Sequence, residues 1–379
     1  MAEQADTGVT ITAVTATPIA VPFEQPFHWR SGVQGGANLV LFAVETDAGA
    51  TGYGESICED PAAEIAYGNL IARAFVGRSP GDVEAILADL WSNGRWRATP
   101  HWTQQVLSGL EVACWDALGR ALGVPASTFL GGRVRDEVDY MAFPQGDTAD
   151  ELAREAAALA AAGHRVVYLK VGRPHRDDEE IVAAVREAIG PGPLLRVDAN
   201  EAWDVPTAVD AIRRLEAYDL DWVEQPVLAG NVAGLAWVRS RVETKIAADQ
   251  AVFTTAELRA VLDAEAADTI VLGSHESGGL WRWRQLAYLA ESYGIPVNGH
   301  ACPESSLSTF AGLQLLSCVP NLTLGNQVMH HLLTEQLSTT PIAIEGGRAA
   351  IPTGPGLGCE LDHAAVERAR RRYEQQGAY

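Results

Sequence analysis

Basic residues are scarce in this sequence: 28 lysines and arginines stand against 49 aspartates and glutamates, giving a formal net charge of −21. Such a surface repels nucleic acids and anionic membranes, and mainly serves solubility. The sequence contains no apolar run of the roughly 18 residues that a membrane span needs. The N-terminal segment MAEQADTG is acidic and lacks the basic and apolar regions of a signal peptide. We therefore expect a cytoplasmic protein with neither nucleic-acid nor membrane partners.

Cysteine is also sparse, and the five cysteines show no CxxC spacing. Scattered cysteines of this kind are typical of reduced thiols in a cytosolic protein. Hydrophobic residues are plentiful at 47% of the chain, which supplies a large core. The 379 residues exceed the roughly 250 of a single (β/α) barrel, so we expect a second domain.

Three acidic residues each end a short apolar segment: Asp198 in LLRVDAN, Glu224 in LDWVEQP and Asp249 in TKIAADQ. They are separated by 26 and 25 residues. A strand, a helix and two loops of a (β/α) barrel use roughly 25 residues, so these acids occupy equivalent places on neighbouring strands. The spacing predicts that the three carboxylates converge at the C-terminal rim of a barrel, where active sites of this fold lie.

The same interval extends to other polar residues. Lys170, in VVYLKVG, lies 28 residues before Asp198, and His275 and His300 lie 26 and 51 residues after Asp249. Most of the intervals carry a helical pattern, for example DDEEIVAAVREAIG. An open doubly wound sheet would also alternate strands and helices, but seven or eight units at near-constant spacing favour a closed barrel. Before the barrel, alternating segments between Thr10 and Glu55 predict a short antiparallel meander.

Two further features carry a family resemblance. The run LEVACWDALGRALGVPASTFLGG, residues 110–132, resembles the helix that ends the capping domain of the enolase superfamily. A second set resembles the mandelate racemase and muconate lactonizing branch of that superfamily, and it comprises Lys170, Asp198, Asn200, Glu224, Asp249 and the SGG of residues 277–279.

The resemblance covers nearly the whole chain and implies an α/β fold, a modified TIM barrel of the (β/α)7β type with an α+β capping domain. It places the capping domain at residues 1–133, completed by the C-terminal segment 342–379. The barrel would span residues 134–341. We also expect a homo-oligomer that acts on a small-molecule carboxylate.

The implied chemistry is abstraction of the proton α to a carboxylate, assisted by Mg²⁺, to give an enediolate. Such a proton is very weakly acidic, and its removal leaves two negative charges on oxygen that a hard dication can stabilise. Asp198, Glu224 and Asp249 are the expected metal ligands, because Mg²⁺ prefers oxygen ligands. Asn200 is expected to bind the substrate.

Lys170 is the expected catalytic base, since it matches the second lysine of the family's KxK pattern; a lysine whose stem lines the barrel and whose ammonium pairs with an acid is the alternative. A lysine near a dication and partly shielded from water has its charged form disfavoured, which lowers its pKa. The first position of the pattern is Tyr168, which points the same way along the strand. We expect Tyr168 to supply a hydrogen bond where relatives have a lysine.

The opposite side of the predicted site is unusual. His300 matches the seventh-strand histidine of relatives that use a His–Asp pair, but Gly273 stands at the aspartate position. His300 is the expected second acid or base, with a structural hydrogen bond as the alternative. His275 and Glu276 are candidate substrate contacts, and Glu276 is a candidate partner for either histidine.

Three positions complete the predicted substrate contacts. Asn326 follows the eighth strand, near where related racemases carry an electrophilic glutamate; a strand-end turn is the alternative. Arg30 and His28, in PFHWRSG, lie where the family's capping loop closes over the substrate. Arginine suits bidentate recognition of a carboxylate, and an exposed loop cation is the alternative.

Our first expectation for the reaction is dehydration of an acid sugar or related hydroxy carboxylate, with Lys170 taking the α proton and His300 assisting departure of the hydroxyl. The first alternative is a racemase or epimerase, for which the missing aspartate makes His300 a poorer base. The second is a cycloisomerase of a carboxylate or lactone, which needs Lys170 alone. A non-catalytic metal-binding protein is the remote alternative. A barrel hydrolase with another metal would more usually offer histidine ligands.

Overall fold

The computed structural model describes residues 8–29, 32–92, 100–173 and 177–379. The strands are β1 (Ile11–Trp29), β2 (Gly32–Thr46), β3 (Thr51–Ile57), β4 (Glu137–Asp139), β5 (Val166–Lys170), β6 (Leu194–Asp198), β7 (Leu220–Glu224), β8 (Lys245–Ala248), β9 (Thr269–Gly273), β10 (Val297–His300) and β11 (Arg348–Ala350).

The helices are α1 (Pro61–Ala72), α2 (Val83–Ser92), α3 (Pro100–Leu122), α4 (Ala149–Ala161), α5 (Asp178–Ile189), α6 (Val205–Leu215), α7 (Val232–Arg239), α8 (Thr255–Asp263), α9 (Ser274–Ser277), α10 (Leu280–Ser292), α11 (Ser306–Leu316) and α12 (His363–Gln376). Short 3₁₀ turns lie at Ala126–Thr128, Glu216–Tyr218 and His330–Leu332. Across the described ranges, none of these helices has the length and apolar character needed to cross a membrane.

The N-terminal part is an antiparallel sheet in the order β1-β2-β3, as the alternating pattern predicts. Helix α3 packs very closely against it, because β3 has glycines where the two backbones meet. A Cβ at Gly52 would lie 2.2 Å from the Ala113 carbonyl oxygen, and one at Gly54 would lie 2.2 Å from the Gly109 carbonyl oxygen. These glycines therefore allow a contact that any side chain would prevent.

The second part is a parallel sheet in which strands β5 to β10 are neighbours in sequence order. Backbone bridges close it into a barrel: Ala142 pairs with Val167, Tyr140 with Asn326, and Leu322 with Val297. Two short segments, 140–142 and 322–326, thus serve as the first and last of eight strands. Helical connections follow the first seven strands, so the expected (β/α)7β fold is confirmed.

Local sequence explains why the elements begin where they do. The strands from β5 to β10 are largely buried and rich in Val, Ile and Leu, as expected for strands covered on both faces. Helices α4 and α8 begin at capping boxes, which Thr148 forms with Glu151 and Thr254 forms with Glu257. These caps satisfy backbone N–H groups at the first turn of each helix.

The N-terminal sheet is joined to the barrel through a buried carboxylate. Glu55, at the end of β3, is 2% exposed and accepts hydrogen bonds from Ser305 N at 2.8 Å and Ser308 N at 3.2 Å. It also accepts from the Ser305 hydroxyl at 2.5 Å. These donors lie at the start of α11, the helix that follows β10. The contact therefore fixes the N-terminal sheet above the C-terminal rim of the barrel.

The end of the chain returns to the same sheet. Arg372, on α12, donates a hydrogen bond to the Ala20 carbonyl oxygen at 2.9 Å. The backbone nitrogen of Tyr379 donates to Asn38 Oδ1, also at 2.9 Å. Helix α12 therefore packs on β1, and the C-terminal residue beyond it contacts β2.

Candidate active site

The three acids at the predicted spacing converge at one rim. Asp198 ends β6, Glu224 ends β7 and Asp249 directly follows β8. Asp198 is paired with Lys170 on one side and with Glu224 on the other in the parallel ladder. Each acid is no more than 1% exposed. The constant length of the strand–helix units thus brings Lys170 and three carboxylates to adjacent strand ends.

Tyr168 joins these groups by hydrogen bonds. Its hydroxyl donates to Asp198 Oδ2 at 2.6 Å and lies 3.1 Å from Glu224 Oε1. Lys170 Nζ donates to the same Asp198 oxygen at 2.5 Å and to the Tyr168 hydroxyl at 3.2 Å. The phenol and the ammonium therefore share one carboxylate oxygen.

The donor set fits a hard dication. Glu224 Oε2 and Asp249 Oδ2 are buried and have no hydrogen-bond partner among the described residues. Burial, together with Asp198 and Asp249, raises the pKa of Glu224 well above its ordinary range. Burial also raises the pKa of Asp249 to about 6, although His300 acts in the opposite direction. Crowded, buried carboxylate oxygens of this kind are the ligands that Mg²⁺ prefers, so these residues could hold it.

The environment of Lys170 differs from the sequence expectation. Burial acts to lower the pKa of its ammonium, but Asp198 and Glu224 outweigh burial, and the pKa is raised. In this ion pair the ammonium keeps its proton, so Lys170 cannot accept one from a substrate. If Asp198 serves as a ligand to a dication, the ion pair weakens and the pKa of Lys170 falls toward the working range.

His300 lies beside a carboxylate despite the glycine at position 273, although its Nδ1 has no hydrogen-bond partner among the described residues. Its Nδ1 lies 3.5 Å from Glu276 Oε1 and 4.0 Å from Asp249 Oδ1. Burial alone would lower the pKa of His300, but Asp249 and Glu276 reverse that effect and raise it to about 10. Burial acts to raise the pKa of Glu276, but His300 outweighs it and lowers the pKa to about 2. The pair is therefore an imidazolium beside a carboxylate.

These groups face a cavity of about 280 Å³ that is mostly apolar. Lys170, Asp249, Glu276 and His300 lie on its wall. The apolar lining includes Phe27, Ile57, Met141, Phe143, Phe253 and Val328. The side-chain amides that line it belong to Gln34, Gln105, Asn200, Gln250 and Gln327.

Two predicted substrate contacts are not supported. Asn326 is fully buried; its Oδ1 accepts from Gly299 N at 2.7 Å, and its amide donates to the Asp139 and Thr323 carbonyl oxygens. With its hydrogen-bonding groups used by backbone, Asn326 has a structural role. The next residue, Gln327, lines the cavity instead, because successive side chains of an extended segment point to opposite sides.

His275 is also directed away from the cavity. The strand β9 ends at Gly273, and His275 lies in the short helix α9 rather than on the strand. Its Nε2 is 3.1 Å from the Ser308 hydroxyl and 3.2 Å from Glu304 Oε2. This buried pair stabilises the packing of α9 against α11, so His275 is not among the side chains that line the cavity.

Two predicted contacts lie outside the described residues, namely Arg30 and the side chain of His28, although His28 itself belongs to β1. Conversely, sequence reasoning did not single out Cys302, which lines the cavity and donates from Sγ to Glu276 Oε1 at 2.9 Å. The sequence feature that indicates a place for Cys302 in the site is its position two residues after His300.

The fold and the site together define a (β/α)-barrel enzyme with carboxylates, a lysine and a histidine around one cavity at the C-terminal rim. Residues 151–365 match the family model described as Enolase C-terminal domain-like. Residues 10–131 match the model described as Mandelate racemase / muconate lactonizing enzyme, N-terminal domain. The chain belongs to the enolase superfamily, in its mandelate racemase and muconate lactonizing enzyme branch.

The relatives of this chain have different reactions in their names. It is 31% identical to muconate cycloisomerase 1-2 from Acinetobacter lwoffii, with 96% of each chain covered. It is 30% identical to a probable glucarate dehydratase from Streptomyces coelicolor, covering 96% of this chain and 92% of the relative. The crystal structure of an N-succinyl Arg/Lys racemase from Bacillus cereus superposes with a TM-score of 0.88, at 25% identity, covering 95% of this chain and 98% of that one. The chain is therefore an enzyme of the lyase or isomerase type.

Proposed function

We propose that the protein dehydrates a 2,3-dihydroxy carboxylate with a largely apolar remainder. Lys170 removes the proton α to the carboxylate, and His300 gives a proton to the departing β hydroxyl, which leaves as water. The resulting enol rearranges to a 2-keto acid. The observation that carries this proposal is that Lys170 and His300 line the same cavity from β5 and β10, beside the carboxylates of β6, β7 and β8.

In this reaction Asp198, Glu224 and Asp249 would hold Mg²⁺, which when bound supplies positive charge to stabilise the enediolate oxygens. Tyr168 keeps Asp198 in place through its 2.6 Å hydrogen bond. Asn200 lines the cavity near the acids and is a candidate donor to the substrate carboxylate.

The lining of the cavity narrows the substrate class. Every hydroxyl of a buried polyhydroxy acid needs a hydrogen-bond partner, and an unpaired one costs roughly 1–3 kcal/mol. Most of the surface of the described wall is apolar, and apart from the charged groups, Tyr168 and Cys302 its hydrogen-bonding side chains are five amides. This composition favours a substrate with few hydroxyls, and therefore a related hydroxy carboxylate rather than an acid sugar.

Racemisation or epimerisation is the second candidate, and the contact between His300 and Glu276 is the observation that favours it. A glycine at position 273 weakens the case for His300 as a base, but the Glu276 carboxylate lies 3.5 Å from Nδ1 and supplies a negative charge there. With Lys170 on one face and His300 on the other, the α carbon could lose a proton to one and regain it from the other.

A screen of carboxylates with Mg²⁺ in D₂O distinguishes these reactions. The panel would contain 2,3-dihydroxy carboxylates with apolar substituents, acid sugars, N-succinyl amino acids and lactones. Formation of a 2-keto acid from the first group supports the proposal, whereas deuterium exchange with inversion and no loss of water supports the second candidate. Turnover of acid sugars in preference to the apolar compounds would contradict the proposed substrate class.

A further inference from the structure

We propose that Glu276 is a positioning residue for His300, and that Gly273 is a glycine because the Glu276 carboxylate occupies the space of its side chain. The inference rests on the proposed function, in which His300 exchanges a proton with the substrate. In this arrangement, a glycine at position 273 and a glutamate at position 276 together provide a carboxylate beside His300. In relatives with a His–Asp pair, a single strand residue would provide it.

The register of the sheet places position 273 directly beside His300. Gly273 ends β9, His300 ends β10, and the two residues are paired in the parallel ladder. A side chain at position 273 would therefore be the immediate neighbour of the imidazole. The backbone at Gly273 has φ −98° and ψ 142°, which is ordinary extended conformation. Since any residue could adopt it, the backbone does not explain the glycine.

The space around Gly273 does explain it. A Cβ at this position would lie 1.9 Å from Glu276 Oε2, 2.8 Å from Glu276 Cδ and 3.0 Å from His300 Nδ1. Atoms separated by 1.9 Å without a bond would overlap severely, so a side chain at 273 and the observed carboxylate exclude each other. Because Gly273 has no side chain, the Glu276 carboxylate can occupy this space.

The short helix α9 delivers the carboxylate to this space. Residues three apart lie on the same face of a helical turn, and side chains point back toward the helix N-terminus. Glu276 therefore turns back over the strand end, where its Oε1 accepts from Cys302 Sγ at 2.9 Å and lies 3.5 Å from His300 Nδ1.

Packing alone does not account for the buried position of the Glu276 carboxylate. Its side chain is 10% exposed, and Oε2 has no hydrogen-bond partner among the described residues. A buried carboxylate with an unpaired oxygen is costly, unless it balances a charge that the site needs. His300 Nδ1, 3.5 Å from Glu276 Oε1, likewise has no hydrogen-bond partner among the described residues, and a carboxylate that holds this nitrogen leaves Nε2 to exchange protons with the substrate.

A double-mutant cycle tests whether the Glu276 carboxylate occupies the space of a side chain at position 273. It is measured by thermal unfolding of the full chain with Mg²⁺. Gly273→Ala should lower the unfolding midpoint by about 3 °C or more in the wild type, because it displaces a buried carboxylate. In a Glu276→Ala background the same change should cost less than about 1 °C. Gly230→Ala, at a glycine with open space, serves as the control. Equal losses in both backgrounds would overturn the inference.

The positioning part is tested by NMR of the Mg²⁺-loaded protein with ¹⁵N-labelled histidine, in which His300→Asn assigns the resonance. We expect a downfield Nδ1–H proton that exchanges slowly with water in the wild type and is lost in Glu276→Gln. It should return in Gly273→Asp/Glu276→Ala, where a strand residue supplies the carboxylate. Glu304→Gln, which alters the neighbouring pair with His275, should leave it unchanged.

Persistence of the His300 signal in Glu276→Gln would overturn the positioning role, and so would its absence from the wild type. Glu276→Gln has nearly the same shape as the native residue, so the test holds even where Glu276→Ala fails to fold. Both measurements proceed without a substrate. The NMR signal and the double-mutant cycle can both give the expected results while no carboxylate of the panel is turned over in D₂O. That combination would count against the proposed function alone.

Discussion

Tyr168 donates a hydrogen bond to Asp198 Oδ2 at 2.6 Å and lies 3.1 Å from Glu224 Oε1, so one neutral phenol bridges two buried carboxylates. The resemblance places a lysine at this position. A phenol supplies a hydrogen bond without a positive charge, so it leaves the acids with more negative charge to be balanced by a dication.

Replacing Tyr168 by Phe should therefore destabilise the metal-free protein more than the metal-loaded protein. Loss of a hydrogen bond to a buried charged group costs about 2 kcal/mol, whereas a dication can satisfy the same oxygens. Urea unfolding with a chelator and with saturating Mg²⁺ measures the difference. Tyr140→Phe, at another buried tyrosine of the barrel, is the control, and an equal loss under both conditions for Tyr168→Phe would count against the proposed metal position.

Mg²⁺ itself should stabilise the folded protein, because Glu224 Oε2 and Asp249 Oδ2 are buried without hydrogen-bond partners among the described residues. At a free concentration 100 times Kd, binding to the native state adds about 2.7 kcal/mol. The shift in thermal midpoint should nearly disappear in Glu224→Gln and remain in Asp263→Asn, a surface control. An unchanged wild-type midpoint at high Mg²⁺ would argue against this site.

The barrel and the positions of its acids were predictable because strand–helix units have a nearly constant length. A residue 26 positions after Asp198 must then end the next strand, as Glu224 does. The part of the site around His300 was less predictable, because its contacts depend on the length and direction of individual side chains. Nothing in the sequence specifies that the chain enters a helical turn after Gly273 and directs Glu276 back to His300.

The error at Asn326 has a similar origin. The eighth strand consists of isolated bridges, and a shift of one residue in such a segment exchanges the side chain that faces the cavity. Gln327 therefore takes the position expected for Asn326. Family spacing identifies the strand end, but only the backbone pairing determines which of two adjacent residues points inward.

The stability of the folded protein should depend on pH through Glu111. This carboxylate accepts hydrogen bonds from Leu280 N at 2.7 Å and Trp281 N at 2.8 Å, at the start of α10. Burial raises the pKa of Glu111 from 4.5 to about 7. A raised pKa means that its contribution to stability is fully present below about pH 4.5 and is lost as the pH rises through about 7.

Wild type should therefore lose stability relative to Glu111→Gln between about pH 4.5 and 7, by an amount on the order of 3 kcal/mol. Urea unfolding of both proteins across this range measures the difference. The exposed residue Glu187 provides the control, since Glu187→Gln should follow wild type. A difference between wild type and Glu111→Gln that stays constant with pH would contradict the assigned shift.

The most direct test of the proposed reaction is deuterium exchange at the α carbon with Mg²⁺ in D₂O, comparing wild type with Lys170→Ala. Lys245→Ala is the matched control, because this exposed lysine begins β8 at the opposite end of the barrel. Wild type and Lys245→Ala should both exchange deuterium into at least one carboxylate of the panel. The exchange rate should fall by about 10³-fold or more in Lys170→Ala. Exchange that persists in Lys170→Ala at the wild-type rate would contradict the assignment of Lys170 as the base.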